Sequence, residues 1–129
     1  MCGPSSPPDA DSARHPLIVV LDEDEALREA LRFCLETEGY RVSVFGAAEA
    51  LLDCPDCRSP ACFVVDEACQ DPKLSQLAQV SGTPVVLLSG RPDRTVVAQW
   101  GQQASVVEKP LMTDALSRQI AAALAAAGR

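Results

Sequence analysis

Apolar residues in this chain gather into short unbroken runs, and each run stops at a polar or charged residue. Leu17-Ile18-Val19-Val20-Leu21 runs into Asp22-Glu23-Asp24, and Cys62-Phe63-Val64-Val65 runs into Asp66. Pro84-Val85-Val86-Leu87-Leu88 runs into Ser89-Gly90, and the shorter Val106-Val107 runs into Glu108-Lys109-Pro110. Runs of this length without polar alternation predict strands buried on both faces, as in a parallel sheet. Arg41–Phe45 alternates and predicts a further strand. Helical spacing fills the intervals. Leu27, Leu31, Cys34 and Leu35 recur at i, i+4, i+7 and i+8, one face of a helix over 24–38 that Gly39 closes. Shorter helices are predicted over 47–53, over 72–80 with Pro72 at its start, and over 92–100 before Gly101. Leu116, Ile120 and Leu124 mark the apolar face of an Ala-rich final helix over 111–127. Strands over 17–21, 41–45, 62–66, 84–88 and 104–107 thus alternate with five helices. That order predicts a (βα)5 unit, a parallel sheet of five strands covered on both sides.

Length and composition narrow the picture. The chain has 129 residues, one domain by size. Residues 1–15 are rich in Pro, Ser, Asp and Gly and predict a disordered N-terminal tail, which leaves 16–129 as the domain. Only 4% of the residues are aromatic, so Val, Leu and Ala must fill the core. A net charge of −7 argues against a nucleic-acid surface, which needs clustered Lys and Arg. No apolar run approaches the roughly 18 residues of a membrane span. The first 16 residues carry no apolar signal core, so a cytoplasmic location with reduced thiols is the expectation. Of the six cysteines, Cys34 and Cys62 read as small hydrophobes. Cys54-Pro55-Asp56-Cys57 is a C-x-x-C. With Cys62 and Cys69 it suggests zinc only weakly, because the second pair flanks a strand that would aim its thiols differently.

Strand ends in an open parallel sheet are where ligands bind. If the strands are neighbours, Asp22, Glu23 and Asp66 meet on one edge with Ser89 and Lys109. Three carboxylates in one place repel unless a cation neutralises them, and Mg²⁺ prefers carboxylate oxygens while keeping several waters. A carboxylate can also act as a nucleophile toward phosphorus, and the charge that develops then needs a metal, a lysine and a hydroxyl donor. Each residue alone has a plainer reading: Asp22 or Asp24 as a helix cap, Ser89-Gly90 as a turn. Their joint placement at consecutive strand ends is what points to chemistry.

At this point the chain resembles the receiver domain of bacterial two-component response regulators, the CheY-like fold, over residues 16–127. Leu21-Asp22-Glu23-Asp24-Glu25-Ala26-Leu27-Arg28 is similar to the acidic pocket and the start of the first helix. Val64-Val65-Asp66 resembles the phosphoacceptor strand, Leu87-Leu88-Ser89-Gly90 the switch strand, and Val107-Glu108-Lys109-Pro110 the Lys-Pro signature. Ala48-Glu49-Ala50-Leu51-Leu52 and Cys62–Asp66 look most like the FixJ/NarL-type branch. The resemblance implies a flavodoxin-like doubly wound sheet and a phosphorelay signalling module, not an enzyme. It implies that Asp66 accepts phosphate from a sensor histidine kinase or phosphotransfer protein. Asp22, Glu23, Asp66 and the backbone carbonyl of Ala68 would hold Mg²⁺, and Lys109 and Ser89 would bind the phosphoryl group. Output would pass to a downstream protein partner through the face of the fourth helix, fifth strand and fifth helix, which is also the expected homodimer face. No DNA-binding output domain is read in this chain, and no direct contact with nucleic acid or membrane.

Three departures from the family pattern stand out. Glu23 occupies a position that is normally Asp. The loop after Asp66 reads Glu67-Ala68-Cys69-Gln70-Asp71-Pro72 where Met-Pro is usual, and the shorter stretch to Ser89 predicts a stunted third helix. The aromatic switch position is Val106. A pseudo-receiver, the same fold used without phosphotransfer, is therefore the alternative. A haloacid-dehalogenase-like phosphatase, with Asp22 as nucleophile, is the remoter one.

Overall fold

The computed structural model describes residues 15–57, 59–69, 71–90, 98–101, 104–109 and 115–126. The expected N-terminal tail up to residue 14, most of the expected helix over 92–100 and the start of the helix expected over 111–127 lie outside these residues. Five strands form one parallel sheet: β1 (Leu17–Leu21), β2 (Arg41–Phe45), β3 (Cys62–Asp66), β4 (Val85–Ser89) and β5 (Ala104–Glu108). Their order is β2-β1-β3-β4-β5. The chain winds outward in both directions from β1 and β3, which makes the gap beyond those two strands the switch point where doubly wound sheets bind ligands.

The unbroken apolar runs are explained by what covers them. Every residue of β3 and β4 is buried. Alternate side chains enter two separate cores. Ile18, Val20, Cys62, Val64, Val86 and Leu88 pack beneath α1 (Glu25–Thr37) and the C-terminal helix (Ala115–Ala126), which contribute Leu31, Leu35, Leu116 and Ile120. Val19, Leu21, Phe63, Val65, Val85 and Leu87 face the other way. They meet Leu51 of α2 (Ala48–Leu52), Leu74 and Ala78 of α3 (Pro72–Ser81), and Trp100. A strand with both faces dry cannot alternate.

Helix ends follow local chemistry. Asp24 caps α1 by accepting a hydrogen bond from the Leu27 amide at 3.2 Å. Asp71 caps α3 through the Lys73 amide at 2.8 Å, Pro72 opens the helix, and Gly82 closes it with φ +68°. These three signals explain a departure from expectation. α3 has ten residues and is not stunted. The shortening falls instead on the connection after Asp66, which is a single 3-10 turn, Glu67–Cys69.

Two further expectations are corrected. Cys34 is exposed, not on the buried face of α1. The helix turns its covered side toward half-buried Arg28 and Arg32, and at 100° per residue this carries Cys34 to the flank. Ser89 lies within β4, not beyond it, because it pairs in register with Glu108.

A Gly82→Ala substitution tests the closure of α3. The added methyl meets nothing within 4 Å, so only the left-handed backbone resists it. The expected loss is about 1 kcal/mol, read as a lower urea midpoint with an unchanged slope.

Candidate functional site

Register brings the strand ends together. Leu21 is level with Val65, so Asp22 and Asp66 leave adjacent strands side by side. Asp66 is level with Leu88, and Ser89 is level with Glu108, so Ser89 and Lys109 follow on the same edge. The Lys109 amide donates to the Ser89 carbonyl at 2.7 Å, which fixes the end of β5 against β4. From there the Lys109 side chain reaches back over β3. Its Nζ donates to Asp66 Oδ1 at 2.9 Å and lies 3.7 Å from Asp22 Oδ2.

Both carboxylates are covered, Asp22 at 1% exposure and Asp66 at 7%. Lys109 keeps 30% of its side chain exposed. Burial lowers the affinity of the Lys109 amine for its proton, but the hydrogen bond and charge of Asp66, with the charge of Asp22, outweigh it. The net direction is upward, so Lys109 stays a cation across the physiological range. Asp22 is held at several points. Its Oδ1 accepts from the Asp24 amide at 2.9 Å and its own amide donates to the Phe45 carbonyl at 3.1 Å. Its Oδ2 is buried with no hydrogen-bond partner.

An orphaned carboxylate oxygen beside a second carboxylate fits a hard divalent cation that brings its own waters, as Mg²⁺ does. Asp22 and Asp66 are the buried donors of such a site. Glu23 is exposed, and among the described residues no three His, Cys, Asp or Glu side chains form a ready-made metal cage. Ala68 lies in the 3-10 turn that directly follows Asp66. Ser89 is 2% exposed. Val106 is half-buried and packs against the core that contains Trp100.

The cysteines divide across the sheet. Cys54 and Cys57 are buried on the side of α2 and α3, and Cys62 on the side of α1. Burial pushes the Cys62 thiol up to about 12, as suits a small core residue. Cys57 is a free thiol, so the C-x-x-C is not closed on itself. Cys69 was not assigned to the site by sequence reasoning, yet it stands at its rim. Burial pushes its thiol up, the Glu23 backbone amide opposes this with a hydrogen bond, and the charges of Asp66, Asp22 and Glu23 add to the rise. Its place three residues after Asp66 was the available signal. Arg28 was also missed as a contributor; its Nη1 donates to the Asp22 carbonyl at 2.9 Å. A concavity of about 530 Å³ lined by Asp71, Pro72, Ser75, Gln99 and Trp100 contains none of the strand-end residues.

No protein-family model matches the chain. It is 31% identical over 116 residues to the transcriptional regulatory protein FixJ of Bradyrhizobium diazoefficiens, a match covering 83% of this chain and 56% of that protein. The chain therefore spans little more than half the length of this relative. Full-length FixJ from B. japonicum superposes with a TM-score of 0.71 at 29% identity, over 87% of this chain and 59% of that one. A two-component response regulator from Clostridium difficile has the same fold, with a TM-score of 0.75 at 16% identity over 89% of this chain and all of that one. The beryllofluoride-activated DrrB receiver domain also shares it, with a TM-score of 0.70 at 22% identity, over 86% of this chain and 98% of that one.

Removing the Lys109 charge tests the electrostatics. Lys109→Met leaves two covered carboxylates facing each other. It should cost roughly 1–3 kcal/mol in urea unfolding, less than for a fully buried pair because water screens the exposed part of the lysine. The sign with pH follows from the raised lysine value. The wild-type advantage should be fully present below the ordinary lysine range, near 10.4, and fade as pH rises through the higher folded value. An advantage that disappears near neutrality would contradict the pairing.

Proposed function

The chain belongs to the CheY-like receiver family of response regulators, of the FixJ type, and on that premise we propose that Asp66 accepts a phosphoryl group from a histidine kinase or phosphotransfer protein. The observation that carries this is the Lys109 ammonium held between Asp22 and Asp66 at the strand ends. A carboxylate oxygen of Asp66 forms the new bond to phosphorus as the bond to the donor imidazole breaks. The imidazole leaves with the bonding electrons and takes a proton. Lys109 already holds Oδ1 at 2.9 Å, which leaves Oδ2 as the attacking atom.

Asp22, Glu23, Asp66 and the Ala68 carbonyl would hold Mg²⁺, which would supply positive charge for the phosphoryl oxygens. Lys109 would move its ammonium from the Asp66 carboxylate to a phosphoryl oxygen, exchanging one anion for another without leaving the site. Ser89, at the end of the neighbouring strand, would donate its hydroxyl to the same group. The pseudo-receiver reading keeps one specific support, the exposed Glu23 that does not join the two buried acids. Membership of the receiver family leaves the phosphatase reading without support.

Output would pass to a protein partner, or to a second copy of the chain, through a face of β5, the C-terminal helix and the expected fourth helix, most of which lies outside the described residues. The domain would comprise residues 16–129 and act in the cytoplasm; no helix among the described residues is long and apolar enough to cross a membrane. The switch would be damped. A β-branched side chain such as Val106 has one stiff rotatable bond and little to rearrange when Ser89 moves.

Three outcomes are expected. With acetyl phosphate and Mg²⁺ the protein gains one phosphoryl mass, and Asp66→Asn gains none; equal labelling of that variant would sink the assignment. Glu23→Gln weakens Mg²⁺ binding in calorimetry and Glu23→Asp preserves or tightens it, whereas unchanged affinity in both would remove Glu23 from the metal shell. Beryllium fluoride changes the fluorescence of buried Trp100 only modestly in the wild type and more in Val106→Tyr; a large wild-type change would contradict a damped switch.

A further inference from the structure

Asp22 is held from a direction that the strand-end pattern does not reveal. Arg28 lies one turn into α1, half-buried, and its Nη1 donates to the Asp22 backbone carbonyl at 2.9 Å. The same nitrogen lies against Gly46, immediately after β2. A methyl group at Gly46 would stand 2.8 Å from Nη1 and 3.4 Å from Cζ. On its other side the Asp22 amide donates to the Phe45 carbonyl, the residue next to Gly46. The turn carrying the acids is therefore gripped at its amide by the end of β2 and at its carbonyl by a guanidinium that only glycine leaves room for. With Oδ1 taken by the Asp24 amide, the one unspent atom of Asp22 is Oδ2, directed toward Lys109.

We infer that Arg28 and Gly46 act together as a positioning pair that sets Asp22 Oδ2 for a divalent cation. The inference rests on the reading of Asp22 as a metal carboxylate. Arg28 touches neither the phosphoryl group nor the cation; it acts through the Asp22 backbone. Outer contacts of this kind typically change metal affinity when removed by about 10–100-fold. Gly46 is not among the positive-φ glycines, so its backbone accepts alanine. The atoms that the methyl would meet are the tip of a flexible side chain, which can swing away. Gly46→Ala should therefore displace the guanidinium without disturbing the core.

The test is a double-mutant cycle on the full chain with Arg28→Met, Gly46→Ala and both together, plus Arg28→Lys. Mg²⁺ affinity by calorimetry is one readout. The other needs no metal: the NMR shift and exchange protection of the Asp24 amide, which reports the position of Asp22 Oδ1. Each single change should weaken Mg²⁺ binding by about 10-fold, at the low end for such contacts, with little change in Tm. The double change should be no worse than Arg28→Met alone, because both remove one contact. Arg28→Lys, which keeps one donor, should recover part of the loss. Full additivity, or a fall in Tm with Mg²⁺ affinity and the Asp24 amide unmoved, would overturn the pair. If the wild type binds Mg²⁺ but takes no phosphoryl group, the phosphoacceptor reading fails and the pair stands. If the wild type binds no Mg²⁺, the reading of Asp22 as a metal carboxylate fails and the pair's role toward a cation is overturned with it, whereas Mg²⁺ binding that both single variants leave unchanged overturns the pair alone.

Discussion

Two carboxylates covered by protein at neighbouring strand ends are unfavourable unless a cation lies between them, and Lys109 supplies it. Much of the architecture serves that contact. The lysine follows the edge strand β5, whose last link to β4 is the bond from the Lys109 amide to the Ser89 carbonyl. Docking of the edge strand and neutralisation of the acids are thus the same event. The arrangement also leaves something to exchange. Asp22 Oδ2 is near a charge but has no hydrogen bond, and the lysine is tethered by a flexible stem.

The sheet acts as a ruler for this site. Parallel register sets Asp22 beside Asp66 and Ser89 beside Glu108 before any side chain chooses a rotamer. The two-sided cores keep the ruler stiff with mostly aliphatic residues, joined on one side by Phe45, Phe63 and Trp100, because alternate side chains of each central strand interlock with a different pair of helices. The same alternation decides the fate of the cysteines. Cys62 is committed to one core and disulfide-bonded Cys54 and the free Cys57 to the other, so the sheet itself separates cysteines that look clustered along the chain.

The departures from the receiver pattern fall around the charged trio rather than on it. Asp22, Asp66 and Lys109 are in contact as a receiver site requires. Glu23, the short turn that carries Ala68 and Cys69, and Val106 belong to the surroundings that would hold the metal and carry the signal outward. A chain altered in this way keeps the electrostatic centre and changes what lies next to it. The differences from the receiver pattern thus lie next to the charged trio, at Glu23, in the turn after Asp66 and at Val106.

The sequence by itself determined the strands, because burial on both faces admits only apolar runs. It also determined the helix starts at Asp24 and Asp71 and the stop at Gly82, because a cap needs only a short side chain or a left-handed backbone within the same few residues. Asp22, Asp66 and Ser89 stood out for the same reason: each directly follows or ends an apolar run. Other features were decided only in three dimensions. The direction that α1 turns toward the sheet, which leaves Cys34 outside and brings Arg28 in, follows from packing against two strands. Where the shortening after Asp66 fell, on a 3-10 turn and not on α3, was settled by how that connection closed. The grip of Arg28 on the Asp22 carbonyl, with Gly46 beneath it, joins a helix, a turn and the end of another strand. A local pattern records burial and backbone geometry. It carries no record of which distant donor will meet a given carbonyl, because that partner is chosen by the packing of elements the pattern cannot see.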